Sequence, residues 1–462
     1  MKKPVILCVD DEKIILNSIK DQIKEKINDY SIEVAESGQE ALEIIDEMLE
    51  ENVEIPIVIS DYIMPSMKGD EFLGKVHKII PNTMKILLTG QATTEGISTA
   101  VNKANLYRYI SKPWEKDDLC MTIAEAAKSY YMDRQLEKQN KDLIKLRNGI
   151  VEIMVTALDT RDKTTSGHSK RIANYAVKFA EAINSIDYGK YKDVNFSKEK
   201  IQEIYFSGLL HDIGKIGISE SILQKELRLS IEHQNEIMYR FSYYKKCLEI
   251  KKLLKEINEQ EMLILDNIDH YLSIVLEMSK RSYINKEEID EIILIHSIKY
   301  INPNDELLSL LDDLEVENLT IKTGNLTENE RQIINSHVQK TYDILKRIPW
   351  TKDLELIPEI AASHHERMDG TGYPRGLKAD EILIESRMLA IIDIFDALTS
   401  RDRPYRKSVP VSKALNILCE EVELNHLDRD LYEIFVKEKI YDIIGDEINL
   451  YKKSNEKQVH LI

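Results

Sequence analysis

Cysteine is scarce in this chain. Only Cys8, Cys120, Cys247 and Cys419 occur among 462 residues, far apart and without a C-x-x-C spacing. That excludes a disulfide framework and a thiolate metal site, and it suits a reducing cytoplasm. Long apolar runs are missing too. No stretch of about 18 apolar residues exists, so neither a transmembrane helix nor membrane insertion is expected. The opening M-K-K-P-V-I-L-C-V-D has a basic flank and a short apolar run, but no small-residue cleavage site. It reads as a strand, not a leader. Positive charge is short, with 63 Lys and Arg against 81 Asp and Glu and a net charge of -18. That balance argues against a nucleic-acid partner or an anionic membrane surface.

What remains is enough for real cores. The apolar share is 43% and the mean hydropathy is -0.34. A chain of this length is expected to hold two or three domains. Residues 1–125 alternate strand and helix signals. Strands are expected at Val5–Val9, Ser31–Glu36, Ile55–Ile59, Ile86–Leu88 and Tyr107–Ile110, with helices at Glu12–Lys26, Gln39–Glu50, Lys68–Ile80 and Thr94–Ala104. Short apolar strands alternating with helices imply an α/β doubly wound fold with a five-stranded parallel sheet. From Trp114 to about Asp159 the pattern stays helical. Leu136, Leu143 and Ile150 recur every seven residues, with Leu146 and Ile153 between them. The seam marks residues 126–150 as a signalling helix, which pairs with a second copy or packs on its own domain. Residues 151–462 read as all-α. They include a Lys-, Glu-, Ile- and Leu-rich, Gly-poor helical insertion at about 226–324 and C-terminal helices at about 411–462.

Two constellations carry chemistry. In a doubly wound sheet, functional groups gather at the carboxyl ends of the strands. Asp10 and Asp11 follow the first strand and Asp61 the third, while Thr89 ends the fourth and Lys112 the fifth. Clustered carboxylates need a cation, and an all-oxygen cup suits Mg²⁺. Phosphoryl transfer to one of them would be helped by the metal and the lysine. The second constellation is spread over more than 200 positions: His168, His211-Asp212, His337, His364-His365 and Asp393. Mixed imidazole and carboxylate donors suit Fe, Mn, Zn, Co or Ni. On a helix, neighbouring residues diverge by about 100°. The two adjacent pairs therefore suit two metals sharing a carboxylate, able to activate a water and hold a phosphodiester. Gly370, Gly372 and Pro374 predict a fixed turn after the histidine pair. His233, His270 and His296 stand singly and read as surface or packing residues, as do His77 and His426. Asp396 reads as a helix residue near the site, not a ligand.

D-D at 10–11, D-Y-I-M-P at 61–65, L-T-G at 88–90 and Y-I-S-K-P at 109–113 resemble a response-regulator receiver domain. The resemblance implies that Asp61 is the phosphoacceptor, served by a sensor histidine kinase. It places Mg²⁺ at Asp10, Asp11, Asp61 and the Ile63 carbonyl, and pairs Lys112 with the phosphoryl group. Thr89 and Tyr109 become switch residues, and the Lys112-Pro113 bond is cis.

L-L-H-D-I-G-K at 209–215 and H-H-E-R-M-D-G-T-G-Y-P at 364–374 resemble the HD-GYP phosphodiesterases, a subgroup of the all-helical HD superfamily. A-L-D-T-R-D-K-T-T-S-G-H at 157–168 and I-D-I-F-D-A-L-T-S-R-D-R-P-Y-R at 392–406 extend the match. The resemblance implies metal-dependent hydrolysis of cyclic di-GMP to pGpG or GMP, with Fe or Mn foremost among the metals. Its ligands would be His168, His211, Asp212, His337, His364, His365 and Asp393, with Asp212 bridging. Lys215 would touch phosphate, Arg403 and Arg406 would form a second cationic contact, and Gly372, Tyr373 and Pro374 would be the namesake loop. Some members hold a third metal through a Glu four residues before the first histidine. Here that position is Thr164, so two metals are expected. Between Asp212 and His337 the chain carries roughly a hundred residues beyond an ordinary connection. Two alternatives stay open: an inactive module that binds a cyclic dinucleotide or a partner protein, and a phosphodiesterase for another cyclic dinucleotide such as cyclic GMP-AMP.

Overall fold

The computed structural model describes residues 2–90, 104–161, 167–400 and 408–442. The chain divides into two compact units, Met1–Asn148 and Gly149–Ile462. In the first, β1 (Val5–Val9), β2 (Ser31–Ala35), β3 (Ile57–Asp61), β4 (Met84–Thr89) and β5 (Arg108–Ser111) form one parallel sheet in the order β2-β1-β3-β4-β5. Helices α1 (Lys13–Lys26), α2 (Gly38–Glu50) and α3 (Gly69–Ile79) connect them. β1 and β3 are buried at every position because both sheet faces are covered. Ile6, Cys8, Ile57 and Ile59 pack with Leu16, Ile19 and Ile23 of α1, while the alternate residues Leu7, Val9 and Val58 pack with Ala41, Phe72 and Val76. The strand expected at Ile55–Ile59 instead runs Ile57–Asp61, because pairing of Asp61 with Leu88 carries the ladder onward. The helix expected at Thr94–Ala104 lies, save its last residue, outside the described residues.

Helix α4 (Lys116–Arg161) is continuous over 46 residues. Leu119, Ile123, Ala126 and Ala127 enter the core of the first unit, and Val151, Val155 and Leu158 enter a core of the second. The seven-residue seam between and beyond them is exposed: Leu136 55%, Leu143 62%, Leu146 61%, Ile150 48% and Ile153 69%.

The second unit is mostly helical. α5 (His168–Ser185), α6 (Lys198–Leu210) and α7 (Glu220–Leu223) precede the insertion. α8 (Ile231–Leu254), α9 (Glu259–Met278), α10 (Lys286–Ser297) and α11 (Asp313–Leu319) lie within it. After it come α12 (Glu328–Asn335), α13 (His337–Leu345), α14 (Ile357–Ala362), α15 (Ile384–Thr399), α16 (Val411–Glu423) and α17 (Arg429–Lys437). The insertion builds its own core, from Leu229 through Phe241, Val275 and Ile295 to Leu319. Its helices α9, α10 and α11 start at reciprocal caps: Asn258 with Glu261, Asn285 with Glu288, and Asp312 with Glu315. At its neck the buried Arg228 donates to the carbonyls of Arg281, Leu319 and Ile321.

One expectation fails here. The insertion is not wholly helical, since β6 (Lys299–Ile301) and β7 (Leu307–Ser309) form an antiparallel hairpin. Its turn is closed by the Asn302 amide on the Glu306 carbonyl at 3.0 Å, with Asp305 at φ +63°.

Candidate metal centre

At the carboxyl edge of the parallel sheet, Lys112 Nζ reaches Asp10 Oδ2 at 2.7 Å and Asp61 Oδ1 at 2.6 Å. Burial would lower the lysine, but the two carboxylates hold it above its ordinary value. Burial lifts Asp10, against the pull of Lys112. Asp11 is exposed. The exposed Ile63 donates its amide to Asp61 Oδ2 at 2.9 Å. Thr89 is buried, and its Oγ1 has no hydrogen-bond partner among the described residues. Tyr109 is half exposed, and the Lys112-Pro113 bond is cis.

The seven scattered residues of the second constellation arrive from helix ends, Asp393 excepted. His168 opens α5 behind Gly167, which sits at φ +75°. His211 caps the C-terminus of α6, and Asp212 leads into a 3-10 turn, Ile213–Gly217. His337 opens α13, and His364 and His365 follow α14 beyond its cap Ser363. Asp393 lies inside α15. The expected divergence along a helix is therefore corrected: both adjacent pairs stand just past a helix end. In the first pair the cause is steric. Gly214 passes so close to α13 that a Cβ there would stand 1.9 Å from the His337 carbonyl. Its amide donates to Thr341 Oγ1 at 2.9 Å, and that hydroxyl donates to the His211 carbonyl at 3.1 Å.

His211, His337 and His364 each bond Nδ1 to the carbonyl three residues upstream, at 2.8, 2.7 and 2.6 Å. A carbonyl only accepts, so each Nδ1 carries the proton and each Nε2 offers a lone pair. All three Nε2 atoms are buried without a hydrogen-bond partner among the described residues. Yet His337 Nε2 lies 3.1 Å from Asp212 Oδ1, and His211 Nε2 lies 3.3 Å from Asp212 Oδ2. Lone pairs facing lone pairs at that range repel unless a cation lies between them. The donor atoms gather as two triads, His168–His211–Asp212 and His337–His364–His365, each spanning at most 4.8 Å. The two oxygens of Asp212 face different triads. This donor set fits two transition metals sharing one carboxylate.

Around the triads, charge is arranged to match. Burial would raise Asp212, but Lys215, 2.5 Å away, and the imidazoles hold it well below the usual carboxylate range. Desolvation would raise Asp393, which is partly buried, but His168, whose Nε2 is 3.2 Å away, holds it low. Burial would lower His168, yet Asp393 and Asp396 lift it to about 9. Burial drives His365 down to about 4 and His364 well below its ordinary value. Asp396 receives His168 Nδ1 at 2.7 Å and the guanidinium of Arg171 at 2.7 and 3.0 Å. Asp396 thus ties the His168 ring to Arg171.

The turn after the histidine pair is fixed, with Gly370 at φ +85° and Gly372 so enclosed that a Cβ would meet the Arg367 amide nitrogen at 2.3 Å. Tyr373 stacks on His365 with centroids 4.8 Å apart. The buried Glu366 accepts from the amides of Arg375 at 2.8 Å and Leu377 at 2.9 Å, stapling the loop. Glu366 and Thr341 escape the sequence reading. A carboxylate directly behind two adjacent histidines and ahead of a glycine-rich loop was the signal for the first; the second left none. Thr164, Arg403 and Arg406 lie outside the described residues. His233 and His270 are exposed, and His296 bonds the Leu311 carbonyl.

Known proteins resemble both units. Residues 6–124 match the response regulator receiver domain family, and residues 165–317 and 314–431 match two descriptions of the HD domain. The chain thus carries a response-regulator receiver domain followed by an HD domain. More particularly, it is 24% identical to a cyclic di-GMP phosphodiesterase of Thermotoga maritima, over 98% of this chain and 93% of that one. It is 29% identical to the cyclic di-GMP phosphodiesterase response regulator RpfG of Xanthomonas campestris pv. campestris, over 79% of this chain and 70% of that one. A shorter match, 36% identical, covers 33% of this chain and 32% of the 3'3'-cGAMP-specific phosphodiesterase 3 of Vibrio cholerae. No helix among the described residues is long and apolar enough to cross a membrane.

Proposed function

We propose that this protein is a cytoplasmic two-component response regulator whose output is metal-dependent hydrolysis of cyclic di-GMP to pGpG or GMP. The observation that carries the reading is the pair of donor triads that meet at the two oxygens of Asp212. In it, His168, His211, Asp212, His337, His364, His365 and Asp393 hold two transition metals, Fe or Mn before Zn, Co and Ni. Bound there, the metals supply an activated water and a clamp on the phosphodiester oxygens. The chain's own groups do the rest. The backbone-anchored Nδ1 atoms aim three lone pairs inward. The Tyr373 stack fixes the His365 ring, and Lys215 sets its ammonium beside Asp212, where it meets an incoming phosphate. Arg403 and Arg406 supply a second cationic contact with the dinucleotide.

On the receiver, a sensor histidine kinase phosphorylates Asp61, with Mg²⁺ held by Asp10, Asp11, Asp61 and the Ile63 carbonyl. Lys112 pairs with the phosphoryl group, and the unpartnered Thr89 hydroxyl turns to it together with Tyr109. The exposed seam of α4 is the place for a second copy.

The test is turnover by full-length protein reconstituted separately with Fe, Mn, Zn, Co and Ni, assayed on cyclic di-GMP and on cyclic GMP-AMP. The expected result is pGpG or GMP with at least one metal, and a loss on the order of 100-fold or more in His364→Ala. Absence of product with all five metals overturns the reading. Preference for cyclic GMP-AMP reassigns the substrate.

A further inference from the structure

The last turn of α4 touches both sides of the histidine cluster. Asp159 Oδ2 accepts the amide of Gly167 at 3.4 Å, one residue before His168. Arg161 donates Nη1 to the Ile216 carbonyl and Nη2 to the Ile218 carbonyl, the latter at 2.5 Å. Its own carbonyl accepts from Gln224 Nε2 at 3.2 Å. The carbonyl between, that of Gly217, takes Lys340 Nζ at 2.9 Å, from α13 three residues past His337. Two cations thus hold three successive carbonyls at the end of the turn that carries Lys215. That turn has little freedom of its own. Gly214 is wedged against the His337 carbonyl, and Lys215 is seated on Asp212. A displacement of the turn therefore reaches Asp212 on one side and His337 on the other.

Helix α4 starts at Lys116 in the first unit and ends at Arg161 in the second. Val151, Val155 and Leu158 bury one stripe of its final turns beside Leu209, Leu210 and Ile213, the approach to the same turn. We propose that Asp159 and Arg161 are positioning residues through which the state of the receiver reaches the metal centre. Arg161 sets the turn bearing Lys215, and Asp159 sets the entry to α5 bearing His168. A guanidinium fork on two carbonyls two residues apart fixes orientation as well as position; a lysine supplies only a point charge. This inference rests on the reading of the chain as a receiver-controlled HD phosphodiesterase.

The test uses the full-length chain with Mn²⁺ present, with and without Mg²⁺ and beryllofluoride, a phosphoryl analogue for Asp61. Amide hydrogen exchange over residues 211–218 is read beside cyclic di-GMP turnover. In the parent, beryllofluoride changes exchange at 211–218 by about fivefold or more. In Arg161→Ala that change disappears while the receiver's own response, over residues 57–90, is retained. Arg161→Lys restores it in part, and Asp159→Asn reduces the response at 167–171. The proposal is overturned if Arg161→Ala responds as the parent does, or if beryllofluoride leaves 211–218 of the parent unmoved. If Arg161→Ala does not fold, Arg161→Gln and Arg161→Lys carry the same comparison. A parent without turnover but with an Arg161-dependent exchange response defeats the substrate reading and leaves this inference standing.

Discussion

His168 differs from the other buried imidazoles in what holds its Nδ1. Three of them lean on backbone carbonyls, whereas His168 leans on Asp396, itself gripped by Arg171. A carboxylate in that place raises the basicity of the ring and fixes its rotation, so its loss weakens a bound metal without removing a ligand. Asp396→Asn should lower metal affinity by about 10- to 100-fold, read by competition with a chelator, and retain the helical content of the parent. Another single residue gives a pH signature in the receiver. Lys85 is 1% exposed, bonds the Pro81 carbonyl at 2.7 Å and meets His77 Nδ1 at 2.9 Å. Burial lowers it to about 8. Between pH 8 and the unfolded value near 10.5 the unfolded chain binds the extra proton, so receiver stability rises with pH across that window; below it the deficit is fully present. Allowing for solvent screening, the deficit is roughly 1–2 kcal/mol. With Trp350→Phe leaving Trp114 as reporter, the urea midpoint should climb from pH 8 to 10, and Lys85→Met should remove the climb. The proposed ligands were legible because each adjacent pair sits in a specific string. Thr341 and Arg161 were not, because their partners are backbone atoms remote in sequence.

At the scale of elements, the parallel sheet was legible from apolar runs buried on both faces, and the helical character of the insertion from its Lys-, Glu-, Ile- and Leu-rich, Gly-poor composition. The β6–β7 hairpin was overlooked, although Asn302, Pro303, Asn304 and Asp305 between apolar pairs form a strong turn signal. Its strands are three residues each, too short to show a period against a helical background. Helix ends at the site were illegible for a different reason. Periodicity does not register a contact such as Gly214 against the His337 carbonyl, which stops α6 and turns His211 and Asp212 inward. Adding one methyl group there tests whether that contact shapes the centre. Gly214→Ala places a Cβ 1.9 Å from the carbonyl and 2.5 Å from the Thr341 amide nitrogen. Relief requires the 3-10 turn to move away from α13, at a cost of about 1–3 kcal/mol or more. Far-ultraviolet circular dichroism should stay near that of the parent while the protein loses most of its bound metal on dialysis. Retention of the full metal complement would show that the triads tolerate the shift.

For the whole molecule, the exposed seam of α4 bears on the state of assembly. Placing Leu136, Leu143 and Ile150 at a puts Leu146 and Ile153 at d, and Met132, also exposed, continues the d row. Apolar side chains half to two-thirds exposed along one line of a helix call for a partner with the same line. In this register Asp142 falls at g and Arg147 at e of the next heptad, five residues on. In a parallel in-register pair, g of one helix faces that e of the other, so Asp142 and Arg147 of two copies are of opposite sign across the seam. An antiparallel pair would bring g to g and set Asp142 near its own kind. The parent should therefore sediment at twice 53.6 kDa, as a parallel dimer. Leu143→Glu with Leu146→Glu should sediment at 53.6 kDa. The charge pair tests orientation. Asp142→Lys should weaken dimerisation on the order of threefold to tenfold in Kd, two weak surface pairs being lost at once. Arg147→Glu in the same chain should restore it. A dimer unaffected by the double glutamate substitution places the contact elsewhere, and a dimer that Arg147→Glu does not rescue is not parallel in this register.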